Sequence, residues 1–100
     1  MFVSNMLISL TIYSAFNLKE KRMVIKSLIE RIKSRFNVSI CEAGDNDKWQ
    51  VCDLGISFVS NESKHNEKII EKIINFIDND GRVEITNIEK EMYSYEKSIK

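Results

Sequence analysis

The sequence predicts an α+β fold in which a four-stranded antiparallel sheet carries two helices on one face. Over four segments apolar residues alternate with polar ones, which is the period of a half-buried strand. Over two others they recur every three to four residues, which is the period of an amphipathic helix. The segments follow one another in the order β-α-β-β-α-β, and 100 residues suffice for one two-layer core.

The first strand is predicted over residues 6–13, where every second residue is apolar. The first helix is predicted to begin after Asn17, which caps it together with Glu20 three residues later. Asn37 is predicted to end this helix in a left-handed turn. The apolar stripe of the helix is Val24, Ile25, Leu28, Ile29, Ile32 and Phe36.

A hairpin is predicted next, with strands at residues 38–43 and 50–60 and a polar turn at residues 44–48. Directly paired residues of an antiparallel hairpin point the same way. The pattern therefore turns Cys41 outward and Cys52 inward, which argues against a disulfide between them. Both are interpreted as free thiols that fill space as small apolar side chains.

The second helix is predicted over residues 62–78, with Ser60 or Asn61 as its cap. The last strand is predicted over residues 83–92. Its alternation breaks near Asn87, which indicates a bulge or an early end of the strand.

Both crossovers should be right-handed, which places the two helices on the same face of the sheet. The expected strand order is 4-1-3-2, that of a ferredoxin-like sandwich. We assign residues 1–93 to this single domain and residues 94–100 to a polar C-terminal tail. The first residues read as a strand and not as a signal peptide, and no apolar run approaches the roughly 20 residues that cross a bilayer. We therefore expect a cytoplasmic protein that makes no membrane contact.

Charge is unevenly distributed along the chain, although 15 basic and 15 acidic residues cancel overall. Residues 1–40 carry seven basic and two acidic residues, all of them in the first helix. Such a helix is a candidate to meet the phosphates of a nucleic acid. The alternative is a merely solvated face, since Lys and Arg form helices well. The candidate nucleic-acid-binding residues are Lys19, Lys21, Arg22, Lys26 and Lys33.

The sheet face that the helices leave uncovered is predicted to carry small and weakly polar residues, with Tyr13 as its only aromatic side chain. No platform for stacking RNA bases is therefore expected there, and a second subunit or another protein fits better. Trp49, at the tip of the hairpin beside Asp47, either caps one end of the core or is an exposed contact anchor. The acidic residues of this turn lack a complete set of cation ligands, and a solvated turn is favoured.

No arrangement of residues in the sequence indicates catalysis. His65 is the single histidine, and no nucleophile or acid is placed near it by the pattern. There is no glycine-rich phosphate loop and no cluster with metal-ligand spacing. We therefore expect no enzymatic activity, no cofactor and no bound metal.

Short motifs in a fixed order along the chain are similar to those of a known family. They are Leu18-Lys19-Glu20-Lys21-Arg22, Lys26-Ser27-Leu28, Arg31, Arg35-Phe36-Asn37-Val38-Ser39, Glu42, Asp47 with Trp49-Gln50, Leu54-Gly55 and Ser60-Asn61. Together they resemble the YlxP-like family of small bacterial proteins, the domain of unknown function 503, from about residue 6 to 90. Two positions depart from the family pattern: Asn17 stands where Ser is more usual, and Val51-Cys52 replaces a basic-plus-small pair.

The resemblance implies a ferredoxin-like domain without an established catalytic residue. Genes of the family often lie beside those for translation and ribosome maturation. We therefore expect a non-enzymatic accessory factor that contacts RNA or a ribosomal particle through its first helix, by shape and charge and without reading DNA sequence. The alternative is a protein-interaction module or homodimer that uses the open sheet face or the edge of the second strand.

Overall fold

The predicted order of strands and helices is confirmed in a computed structural model, which describes residues 1–44 and 48–96. Strands alternate with helices as β-α-β-β-α-β, and each element lies within a few residues of its predicted position. The elements are β1 (Phe2–Ile12), α1 (Leu18–Arg35), β2 (Ser39–Ala43), β3 (Val51–Ser60), α2 (Ser63–Asp78) and β4 (Val83–Ser94).

The four strands form one antiparallel sheet in the order β2-β3-β1-β4, which is the predicted order read from the other edge. The core lies between this sheet and the two helices. It is built from alternate residues of the strands and from one stripe of each helix, and burial of each large aliphatic side chain contributes roughly 1.5–3 kcal/mol. The large aliphatic side chains that are less than 2% exposed are Ile8, Leu10, Leu28, Ile32, Leu54, Ile73 and Ile77.

Helix α1 begins at the predicted cap. The Asn17 side chain accepts a hydrogen bond from the Glu20 N–H at 2.9 Å, and the Glu20 carboxylate accepts one from the Phe16 N–H at 3.1 Å. The predicted left-handed end at Asn37 is wrong, because Phe36 leaves the helix in an extended conformation with φ −128°. Among the described residues only Gly44 has a positive φ.

The predicted cap of α2 is also wrong. The helix begins at Ser63, and Glu62 occupies the cap position without a side-chain hydrogen bond to the helix. Ser60 instead accepts a hydrogen bond from the Glu62 N–H and bonds the side chain of Asn66. Asn66 is fully buried and also donates to the Ser4 hydroxyl at 2.9 Å.

The irregularity predicted in the last strand is confirmed as a bulge. Ser9 is paired with Asn87 and Leu10 with Ile85, which leaves Thr86 as one extra residue on β4. The Thr86 hydroxyl donates to the Ser9 carbonyl at 3.2 Å. Strand β4 then continues to Ser94, beyond its predicted end, so Ser94 belongs to the sheet.

Candidate nucleic-acid interface on the first helix

Four of the five candidate cations lie on the solvent side of α1. Lys19, Arg22, Lys26 and Lys33 are exposed, and none of them makes an ion pair or a side-chain hydrogen bond within the described ranges 1–44 and 48–96. At 100° per residue they occupy one strip of the helix, and from Lys19 to Lys33 the strip extends about 21 Å. We call these four residues the cationic strip.

Lys21 does not belong to the cationic strip, and its prediction as a phosphate ligand is wrong. Its side chain is only 1% exposed, its Nζ lies 3.3 Å from Glu42 Oε2, and it donates to the Lys48 carbonyl at 2.6 Å. The reason is helical geometry: Lys21 lies two turns before Leu28 and therefore falls on the buried stripe. A buried ammonium is tolerated only with such partners.

The same buried region contains the Cys52 thiol. Burial, and secondarily the neighbouring Glu42 carboxylate, raises the pKa of Cys52 to about 12. This thiol therefore stays protonated at neutral pH and is a poor nucleophile. The predicted orientation of the cysteines is confirmed, since Cys41 is exposed, Cys52 is buried and both are free.

A groove of about 410 Å³ runs between α1 and β2 beside the cationic strip. It is lined by two apolar residues, Ile25 and Ile29, and by three cations, Arg22, Lys26 and Lys33. Two carboxylates also border this groove, those of Glu30 and Glu42. The groove is therefore of mixed charge, and the cations are most accessible along the crest of the helix.

Arg31 and Arg35 lie on the opposite flank of α1, beside a cleft of about 710 Å³ at the ends of the two helices. Their guanidinium groups lie 5.2 and 5.0 Å from the centre of the Phe76 ring, and Arg31 also pairs with Asp80 at 3.5 Å. Hydrogen bonds from Arg82 lower the pKa of Asp80, which keeps it ionised. These arginines stabilise the junction of the helices and are not part of the cationic strip.

The three predicted interaction residues have different outcomes. Tyr13 is exposed, and its hydroxyl donates to the Glu84 carboxylate, which raises the pKa of Tyr13. Trp49 is half-buried, which is intermediate between the two predicted alternatives. Asp47 lies outside the described residues. Tyr13 and Trp49 lie at the same end of the sheet, because Thr11 is paired with Val51.

The uncovered sheet face is more aromatic and more acidic than predicted. Tyr93 is paired with Val3 and therefore shares this face with Tyr13. The prediction of a single aromatic residue is wrong because β4 was predicted to end at residue 92. Four of the described strand residues on this face are acidic: Asp53, Glu84, Glu89 and Glu91.

Within the part of the chain that the structure describes, no group of three His, Cys, Asp or Glu side chains is placed to hold a metal ion. His65 is exposed on α2. No described helix has the length and apolar character needed to cross a membrane.

Fold and site together define a small ferredoxin-like domain with a cationic helix and an uncovered sheet face. The chain is similar in structure to a de novo designed protein with a ferredoxin fold, with a TM-score of 0.58 and 16% identity over 99% of this chain and 91% of that one. It is also similar to SnoaB, a cofactor-independent oxygenase from Streptomyces nogalater, with a TM-score of 0.52 and 6% identity over 99% and 98% of the two chains. At these identities the similarity shows the fold alone.

Residues 3–90 match the family described as "Protein of unknown function (DUF503)". The chain is also 43% identical over 75 residues to "Uncharacterized protein YlxP" of Bacillus subtilis (strain 168), which covers 75% of this chain and 82% of that relative. The protein therefore belongs to the DUF503 family, and the predicted resemblance is confirmed.

Proposed function

We propose that this protein is a non-enzymatic accessory factor that binds structured RNA, free or within a ribosomal particle, through the cationic strip of α1. One observation carries the proposal: the four side chains of the strip are exposed and aligned, and within the described residues none of them forms an ion pair, although Glu30 lies among them on the helix. A row of free cations along a rigid helix releases counterions when it meets a phosphate backbone, and that release favours binding.

The fold holds the strip in a fixed position. The cap at Asn17 fixes the start of α1, and the Lys21–Glu42 ion pair connects the helix to strand β2 beneath it. The cations are therefore presented on a preorganised surface, which lowers the entropy lost on binding.

The distribution of charge orients the protein toward RNA. The cationic strip lies on the helical side of the sheet, whereas the four carboxylates of the open face lie on the other side. A polyanion attracts the first surface and repels the second. Because only phosphates are contacted in this arrangement, recognition depends on shape and charge and not on base sequence.

The test is fluorescence anisotropy with a labelled RNA hairpin, comparing the Arg22→Glu/Lys26→Glu variant with Lys64→Glu/Lys68→Glu. The control pair lies exposed on α2 and changes the net charge equally. We expect the α1 variant to weaken binding at least tenfold and the α2 variant to change it less than threefold. A cosedimentation assay with purified ribosomal particles tests the second form of the target with the same variants.

The dependence of binding on salt gives an independent measurement. Four phosphate contacts correspond to a slope of about −3 to −4 in log K against log salt concentration. Equal loss of binding in the two variants, or no detectable binding of the unmodified protein to RNA or ribosomal particles at low salt, contradicts the proposal.

A further inference from the structure

We propose that the uncovered sheet face is a docking surface for a positively charged amphipathic helix of a protein partner. We call this surface the open face. It uses residues of all four strands, none of which belongs to the cationic strip, so the inference does not depend on RNA binding.

The open face exposes large apolar side chains at both of its ends. Tyr13 is 58% exposed and Val51 43% at one end, while Val59 is 59% exposed and Tyr93 47% at the other. Val3 lies between Val59 and Tyr93 in the same row of paired residues. Grouped apolar side chains left in solvent are typical of a surface that another molecule covers.

Small residues leave a shallow depression of about 280 Å³ near the middle of the open face. A Cβ atom on Gly55 would lie 3.5 Å from Cys41 Sγ and 3.8 Å from Ala43 Cβ, which are ordinary contact distances. The backbone of Gly55 does not have a positive φ either. Neither packing nor conformation within the chain therefore requires glycine, and the space is available to a side chain of a partner.

The charges of the open face select a cationic partner. Asp53, Glu84, Glu89 and Glu91 project from it, and its described strand residues include no Lys or Arg. A polyanion is repelled by this surface. A second copy of the chain is disfavoured as well, because pairing of two open faces brings together two acidic surfaces without compensating cations.

The backbone of the sheet favours a helix as the occupant. The main-chain groups between the strands are already paired with one another, so a partner contacts the open face through side chains alone. A helix satisfies its own backbone hydrogen bonds and is suited to such a contact. Four strands and five rows of side chains span roughly 19 by 27 Å. The longer dimension equals the length of a helix of about 18 residues. The area is typical of transient complexes.

The first test is photocrosslinking in the cells that produce the protein, with benzoylphenylalanine in place of Val59 or Tyr93 and a control at Glu71, which is exposed on α2. We expect Val59 and Tyr93 to crosslink to one polypeptide segment that has a net positive charge and helical apolar periodicity, and Glu71 not to reach it. A crosslink to a second copy, to nucleic acid or to a segment without net positive charge, or the absence of a crosslink, overturns the proposal.

The second test uses a synthetic peptide of the crosslinked segment and the ¹⁵N-labelled protein. We expect amide shifts confined to the open face and at least tenfold weaker binding by Glu89→Lys/Glu91→Lys. Glu67→Lys/Glu71→Lys on α2, with the same change of charge, should bind within threefold of the unmodified protein. Equal effects of the two pairs contradict the proposal.

Gly55→Val gives a measurement that does not alter charge. The valine side chain fills the depression and suits a strand, so the variant should stay folded and bind the peptide more weakly. Unchanged peptide binding by a folded Gly55→Val protein counts against docking at the depression. RNA binding by all these open-face variants should remain within threefold, so failure here is distinct from failure of the proposed function.

Discussion

The Lys21 ammonium and the Glu42 carboxylate form an ion pair of 3.3 Å between the first turns of α1 and the edge strand β2. The lysine is almost completely buried, whereas the glutamate side chain keeps 20% of its surface exposed. Lys21 also donates a hydrogen bond to the Lys48 carbonyl. It therefore connects the helix to both ends of the hairpin turn. A residue that resembles a surface cation in the sequence is thus a structural element of the core.

Replacement of Lys21 by methionine should lower stability without lowering RNA affinity. Loss of the ammonium removes the cation beside the partly buried Glu42 carboxylate, and we expect a loss of about 2–4 kcal/mol in the free energy of unfolding, measured with urea. Lys21→Met/Glu42→Leu should recover most of it, because two apolar side chains replace the pair. If the single variant keeps its stability but loses RNA binding, Lys21 is a phosphate ligand after all.

Removal of the Asn66 side chain should destabilise the start of α2. Asn66→Ala leaves the Ser4 and Ser60 hydroxyls with one partner fewer in a buried environment. We expect a loss of about 2–3 kcal/mol. Asn75→Ala on the exposed side of the same helix is the matched control and should cost less than about 1 kcal/mol. Thermal or urea unfolding of the two variants measures the difference, and equal losses refute the role of Asn66.

The two asparagines that flank α1 should respond differently to substitution. Asn17→Ala removes the cap and should cost about 1 kcal/mol, whereas Asn17→Ser should be close to neutral. Asn37→Ala should have little effect, because Asn37 does not adopt a left-handed conformation. Urea unfolding measures all three, and a larger loss at Asn37 than at Asn17 contradicts the observed helix ends.

The two thiols should differ in reactivity. Iodoacetamide at pH 8 should modify Cys41 in the folded protein and Cys52 only after unfolding, because Cys52 is buried and its pKa is about 12. Mass spectrometry of tryptic peptides identifies the modified residue. Rapid modification of Cys52 under native conditions is the contrary result.

Because the pKa of Cys52 is raised in the folded protein, the free energy of unfolding should decrease in alkali. The pKa of Cys52 is higher in the folded protein than the ordinary thiol value of 9.0, so the folded state retains a proton that the unfolded state loses. Its contribution to stability is therefore complete below pH 9 and declines as the pH rises from 9 to 12. We expect the Cys52→Ala protein to show a shallower decline in unfolding free energy over this range.

Hydrophobic periodicity was sufficient to predict the order of elements and the strand order, because the two periods differ clearly and the crossover rule leaves few topologies. The cationic strip followed from the same helical geometry. The prediction for Lys21 differs from the structure because a lysine on the apolar stripe is buried when a carboxylate and a carbonyl oxygen lie within reach of its ammonium, as Glu42 and Lys48 do. The burial of Asn66 follows from its spacing, because Asn66 lies one turn before Ile70 and two turns before Ile73 on the buried stripe of α2. Its polar partners could not be predicted, because Ser4 is 62 residues away and Ser60 lies on another element.

The open face could not be predicted fully because it is assembled across strands. Its acidic character comes chiefly from β4. Glu89 is paired with Leu7 and Glu91 with Asn5, and these pairs can be identified only from the register of the strands. A pattern within one segment carries no information about such rows.

The bulge at Thr86 determines which side chains of the second half of β4 lie on the open face. Before the bulge the odd-numbered residues of β4 point to the core, as Val83 and Ile85 do, whereas after it the even-numbered Ile88 does so. The extra residue therefore exchanges the inward and outward positions along the rest of β4. If β4 were paired regularly through Thr86, Glu89 and Glu91 would turn inward and Ile88, Lys90 and Met92 would face solvent, so this single backbone irregularity places two of the four carboxylates on the open face.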